Sequence, residues 1–199
     1  AAFPRQRRVA AGSYQTAFVD AGGQLLTCGI AEPEGDEPRP GLLGHGPGVT
    51  ALAVPTPVPP QGTTRMVSVA AGQHHTLVLS ETGAVLSFGA SGAVLGHGGD
   101  LESQHTPKVI EALRGQRVVA MAANDGHSLV LTDAGAVLSF GDGNNGRLGH
   151  GDTQHQWTPK VIEALRGQRV VAVSAGGQHS LVLTEAGAVL SFGQGEHCD

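Results

Sequence analysis

The chain has 199 residues, a formal net charge of −5 and 40% hydrophobic residues. That is enough for a folded core, and it leaves no positive surplus with which to hold nucleic acid irrespective of base sequence. Thirty-one glycines beside only 15% charged residues suit short strands joined by tight turns better than a helical bundle.

No stretch approaches the roughly 20 apolar residues of a membrane span. The run Arg5, Arg7, Arg8 reads as a solvated terminus. Cys28 and Cys198 lie far apart and outside any CxxC pairing, so neither a disulfide framework nor a thiolate zinc site is expected, and a reducing, intracellular compartment is favoured.

From Val9 onward the chain repeats itself. AAGSYQTAFVDAGGQLLTCG at the start returns, displaced by 60 residues, as AAGQHHTLVLSETGAVLSFG. The intervening AEPEGDEPRPG, with Glu32, Glu34, Asp36 and Glu37 among prolines, has the composition of an exposed loop insertion. Thereafter the period is 52: Phe88, Phe140 and Phe192 keep that spacing, as do His75, His127 and His179. Residues 106–141 and 158–193 differ at only six of 36 positions. The expected repeats are 9–65, 66–116, 117–168 and 169–199, about 3.8 copies of roughly 52 residues forming one domain.

Within a copy, RVVAVSAG, HSLVLT and AVLSFG are short Val- and Leu-rich runs bounded by turn residues, which predicts three strands. HSLVLTEAGAVLSFG reads as a hairpin in which Gly187 supplies the positive φ of the turn, with Gly135, Gly83 and Gly23 as its counterparts. The fourth run, TPKVIEALRGQ, fits a helical turn or an edge strand; Pro159, Val161 and Ile162 favour an outer strand. The fold expected is all-β: propeller blades of four-stranded antiparallel sheets.

VVAVSAGGQHSLVLTEAGAVLSFG, together with GDGNNGRLGHGDTQHQWTPKVIEAL of the preceding copy, resembles the regulator of chromosome condensation repeat over residues 9–199. The L-G-H-G turns at 43–46, 95–98 and 148–151 recur in register with it and mark Gly96, Gly98, Gly149 and Gly151 as structural positions. The resemblance implies part of a seven-bladed ring. It departs from the pattern at Gln15, where the other copies have His, at Cys28, where they have Phe, and at Asn124, where they have Gly.

Histidines that recur once per blade, His75, His127 and His179, and likewise His45, His97 and His150, read as hydrogen-bonding residues and not as a metal set. Gly141–Gly146 spells GxGxxG but precedes more turn instead of a helix, so it is an inter-strand loop. Ser128, Ser139, Ser180 and Ser191 repeat with the blade and form no asymmetric catalytic site. No cofactor and no side-chain catalysis are expected.

What breaks the repeat points to a partner surface: Asp142, Asn144, Asn145 and Arg147 in one loop, His155 and Trp157 in the next segment, with Trp157 and Arg147 as exposed anchors. The expected role is a non-catalytic protein-interaction or scaffold module, as a fragment or subunit of a larger assembly. The resemblance also implies guanine-nucleotide exchange on a small GTPase as an alternative. It allows chromatin association, which the charge opposes, light sensing, for which Trp157 alone does not suffice, and inhibition of a secreted enzyme.

Overall fold

The computed structural model describes residues 7–31, 41–59, 62–90, 92–99 and 102–195. Arg5, the acidic residues of the insertion and Cys198 lie outside them. The described residues form fifteen strands: β1 Val9–Ala11, β2 Gln15–Val19, β3 Leu25–Ile30, β4 Ala51–Pro57, β5 Met66–Ala71, β6 His75–Ser80, β7 Val85–Gly89, β8 Gln104–Val109, β9 Val118–Asn124, β10 His127–Thr132, β11 Val137–Gly141, β12 Gln156–Val161, β13 Val170–Ala175, β14 His179–Thr184 and β15 Val189–Gly193. They pair as β1-β2-β3-β4, β5-β6-β7-β8, β9-β10-β11-β12 and β13-β14-β15, every pair antiparallel. Each sheet is a meander, the blade of a propeller.

The hairpin between the second and third strands of each blade is specified locally. Thr132 N–H bonds Ala136 O at 2.9 Å, Gly135 N–H bonds Thr132 O at 3.0 Å, and the Thr132 hydroxyl takes Ala136 N–H at 3.2 Å. Gly135 sits at φ 82°, the left-handed conformation that a three-residue hairpin loop demands. Asp20, Ser80 and Thr184 offer the same side-chain cap to Gln24, Ala84 and Ala188.

TPKVIEALRGQ turns out to be both candidates in succession. It runs as an outer strand to Val109 or Val161 and then makes a 3-10 turn at Glu111–Leu113 or Glu163–Leu165. Each outer strand holds proline, at Pro55 and Pro57, Pro107 and Pro159, which removes N–H donors where another strand would otherwise add.

The innermost strands β1, β5, β9 and β13 lie beside one another and border a cavity of about 410 Å³. Their facing ends carry Ala11, Gly12, Ala71, Gly72 and Ala123; small side chains let four backbones converge there. The core is divided among the blade joints. One cluster joins Val19 and Val58 to Val78 and Phe88, a second joins Leu79 and Leu113 to Val130 and Phe140, and a third joins Leu131 and Leu165 to Val182. Strands β6, β7, β10 and β11, flanked on both sides, are buried throughout, whereas β14 and β15 are partly exposed.

Candidate functional site

Most of the recurring polar side chains serve the joints. His75 is fully buried and its Nε2 meets Ser128 Oγ of the next blade at 2.7 Å; His127 repeats this with Ser180 Oγ at 2.9 Å. Ser180 gives its own proton to Arg147 O at 2.8 Å, so the His127 Nε2–H must donate, and its Nδ1 has no partner among the described residues. Burial, helped by the nearby imidazoles of His127 and His74, pushes His75 down to about 3. Burial and Arg147 push His127 down to about 4, against the opposing pull of Asp142. In the first blade Gln15, also buried, sends its amide to Gly72 O at 3.0 Å, so the departure from histidine keeps a cross-joint bond. His179, in the fourth blade, is exposed.

The second histidine series acts within a blade. Thr27, Ser87 and Ser139 donate to the carbonyls of Leu43, Leu95 and Leu148 at 2.6–2.7 Å and meet the Nε2 of His45, His97 and His150 at 2.9–3.0 Å. This pins the L-G-H-G turn to the third strand. The turn then packs on the following blade: Gly46 N–H bonds His105 O and Gly98 N–H bonds Trp157 O, at 2.8 and 2.9 Å. A methyl group on Gly149 would lie 2.9 Å from the Phe192 ring, and one on Gly96 would lie 3.0 Å from that of Phe140. Gly151, at φ 82°, has open space around it.

The loop that breaks the repeat is built largely inward. Arg147 is only 4% exposed, which corrects its reading as an exposed anchor. Its Nε bonds Asn144 O at 3.0 Å, and its Nη1 reaches Gly177 O at 3.1 Å, Asp142 Oδ2 at 3.3 Å and Asp125 Oδ2 at 3.4 Å. A guanidinium removed from water requires this set of acceptors, so the joint between third and fourth blades takes all of it. Asn145 adopts φ 60° and sends Nδ2 to Gln178 Oε1 at 2.7 Å, a further tie to the fourth blade. Asn144 N–H is capped by Asp142 Oδ1 at 2.9 Å. Its 3-10 turn, Asn144–Gly146, stands where a dinucleotide fingerprint would need the start of an α-helix.

His155 and Trp157 remain accessible. The His155 side chain is 51% exposed, with Nδ1 accepting Gly143 N–H at 3.1 Å and lying 3.1 Å from Asp142 Oδ1. Trp157 is 44% exposed on the outer strand β12, among the exposed Thr153, Gln154 and Thr158. Its carbonyl is fixed by Gly98 N–H at 2.9 Å, so a large, rigid apolar ring is carried on backbone already held at the joint.

Two joint elements were not drawn from the sequence. Asp125, the second carboxylate on Arg147, sits where the neighbouring copies have Gln73 and Gly177. Arg65, Arg117 and Arg169 lay their side chains across Gly23, Gly83 and Gly135 of the preceding blade. Their 52-residue spacing was the available signal. Among the described residues no three His, Cys, Asp or Glu side chains gather so as to hold a metal, and no helix is long and apolar enough to cross a membrane.

Four consecutive meander sheets, splayed from converging inner strands and riveted by one recurring set of His, Ser, Gly and Phe, define a β-propeller repeat protein. The family profile of the regulator of chromosome condensation (RCC1) repeat matches residues 23–79, 82–131 and 134–183, and a second profile of that repeat matches 66–93, 118–147 and 170–197. The chain belongs to this family. It is 37% identical over 196 residues to the human E3 ubiquitin-protein ligase HERC2, covering 97% of the chain and 4% of that protein. With the ultraviolet-B receptor UVR8 of Arabidopsis thaliana it shares 37% over 159 residues, 79% of the chain and 36% of the receptor. Human WBSCR16 superposes with a TM-score of 0.78 at 23% identity, over 98% of this chain and 50% of that one. Prp20p of Saccharomyces cerevisiae, studied for its binding to Gsp1p and histones, gives 0.76 at 21%, over 94% and 44%. The chain thus spans half or less of each of these proteins.

Proposed function

We propose that this chain is a non-catalytic protein-interaction module, a set of propeller blades that presents the third blade's outer strand and adjoining loop to a protein partner. The observation that carries the reading is a division of labour. Most side chains that recur from blade to blade are taken up by the joints or by turns within a blade, while Trp157 and His155, which do not recur, are exposed. The family membership supports the same reading, since these repeats stand as one part of much longer relatives.

A photo-crosslinking benzophenone amino acid placed at Trp157, and at Glu111 as an exposed control elsewhere, tests it in extract of the source cells. A discrete adduct at position 157, absent at 111 and competed by unlabelled chain, is expected. Equal labelling at both positions, or none at 157, refutes the assignment of this surface. Accelerated nucleotide release from a small GTPase by the chain alone would replace the scaffold reading with an exchange factor.

A further inference from the structure

The outer strands of the second and third blades leave their sheets in the middle. In β12, Lys160 pairs with Ser139 and Gln156 with Gly141, so Trp157, Thr158 and Pro159 stand opposite Phe140 alone. β8 does the same: Lys108 pairs with Ser87 and Gln104 with Gly89, and His105, Thr106 and Pro107 stand opposite Phe88. Extra residues on one strand bow it away from its neighbour and re-aim the side chains at the crest. Thr158 and Thr106 lie at that crest, and both are exposed. The Thr158 methyl lies over the L-G-H-G turn of the second blade, where a side chain added at Gly98 would begin 3.5 Å away. The Thr158 hydroxyl makes no hydrogen bond among the described residues.

Each crest threonine is followed by proline and then lysine, as Thr106-Pro107-Lys108 and Thr158-Pro159-Lys160. The chain has one further Thr-Pro pair, Thr56-Pro57, and no Ser-Pro pair. That pair is out of register with the others, since Pro55 stands 52 residues before Pro107. Thr56 sits in the ladder opposite Thr27, and its hydroxyl already bonds Val54 O at 3.0 Å. One dipeptide is thus displayed in one setting and tied down in the other. Proline holds the residue before it in extended backbone and brings no N–H of its own. Thr158 is therefore an extended, exposed hydroxyl with a donor-free neighbour, the form of acceptor that a proline-directed protein kinase takes.

We propose that Thr158 is a phosphorylation site for a proline-directed kinase, with Thr106 as its equivalent on the second blade, and that a phosphate on Thr158 releases the partner held at Trp157. In the step, Thr158 Oγ1 attacks the γ-phosphorus of ATP. An Oγ1–P bond forms, the bond from that phosphorus to its bridging oxygen breaks, ADP leaves, and the hydroxyl proton passes to a base of the kinase. The product carries a charge of about −1.5 to −2 on the residue next to the indole. Lys160 is the one cation of β12 and is exposed, so it meets the phosphate across water and offsets little of that charge. A partner covering Trp157 must then dehydrate the phosphate, which an apolar contact does not compensate. The release rests on the interaction-module reading; the modification does not.

The folded 199-residue chain is incubated with Mg·ATP and a cyclin-dependent or mitogen-activated kinase, beside the synthetic peptides QHQWTPKVIEA and LAVPTPVPPQG, residues 154–164 and 52–62. Mass spectrometry reads the sites. Phosphate is expected on Thr158 and Thr106 of the chain at rates near that of the first peptide. Relative to its own peptide, Thr56 should react slower by on the order of a hundredfold, because its ladder must open first. An unmodified Thr158 overturns the proposal, as does a first peptide that accepts no phosphate or a Thr56 that reacts as readily as Thr158. The phosphorylated chain should then capture the protein identified by its adduct at position 157 about tenfold less well than the untreated chain. Kinase treatment should leave capture by the Thr158→Ala variant where it was. Undiminished capture by the phosphorylated chain overturns the release and leaves the interaction module standing. If position 157 gives no adduct, the interaction reading falls and the release with it, while the phosphate on Thr158 is decided by its mass alone.

Discussion

Acidification should open the blade joints before it disturbs the rest of the molecule. His75 and His127 are held at about 3 and about 4 in the folded chain, against about 6.5 for an unfolded histidine. Both shifts are downward, so the unfolded chain binds protons first as pH falls. Stability is full above pH 6.5, declines below it, and stops declining from this source only near the folded values. At about 1.36 kcal/mol per pH unit, each histidine costs about 2 kcal/mol by pH 5, and the pair about 4 kcal/mol, a large share of a domain's usual stability. The substitutions His75→Gln and His127→Gln remove the titration while keeping an amide donor, the solution already present at Gln15. At pH 7.5 each should cost only about 1 kcal/mol for the lost bond to serine. Urea unfolding of parent and double variant at pH 7.5, 6.5, 5.5 and 5.0 measures the difference. The parent should lose about 4 kcal/mol more than the double variant across that range. Parallel pH profiles would refute the neutral, joint-sealing role of these rings.

Replacing Arg147 by Met should destabilise the chain by about 3 kcal/mol, because it leaves Asp142 and Asp125 facing each other without a counter-charge; the urea midpoint reports it, and Lys at this position should recover little of the loss. Gly96→Ala places a methyl group 3.0 Å from the Phe140 ring at φ 81° and should cost roughly 1–3 kcal/mol, seen as a lower Tm. Trp157→Ala should change stability by less than about 0.5 kcal/mol while abolishing capture of the partner in a pull-down, a separation that a packed tryptophan would not give.

Repetition made the fold legible. A residue type held at 52-residue spacing can be assigned a common environment without knowing what that environment is, which is why the hairpin glycines, the strands and both histidine series could be placed. The site was less legible because periodicity does not say which way a non-repeated residue points. Arg147 and Trp157 break the pattern ten residues apart in sequence from two ends of one loop and strand, yet one is buried and the other exposed. The difference lies in Asp125 and Gly177, distant in sequence, which converge on the guanidinium. The 3-10 turn after each outer strand was half seen for a related reason: β-branched Val and Ile preceded helix-tolerant Glu-Ala-Leu, and both preferences were honoured in turn.

The same reasoning gives departures from the repeat two distinct physical meanings. Gln15 departs from histidine but still bonds across the joint, so that position changed residue and kept its task, and Asn124 departs from glycine and adds a joint bond from its amide to Ala175 O at 3.3 Å. Trp157, by contrast, departs from His105 and presents an indole to solvent. Departures of the first kind are neutral to any partner. A departure of the second kind creates apolar surface that the blade itself does not need. A partner that recognised an indole here would be directed to the third blade, since the second carries His105 at the same position and the blades are otherwise built alike.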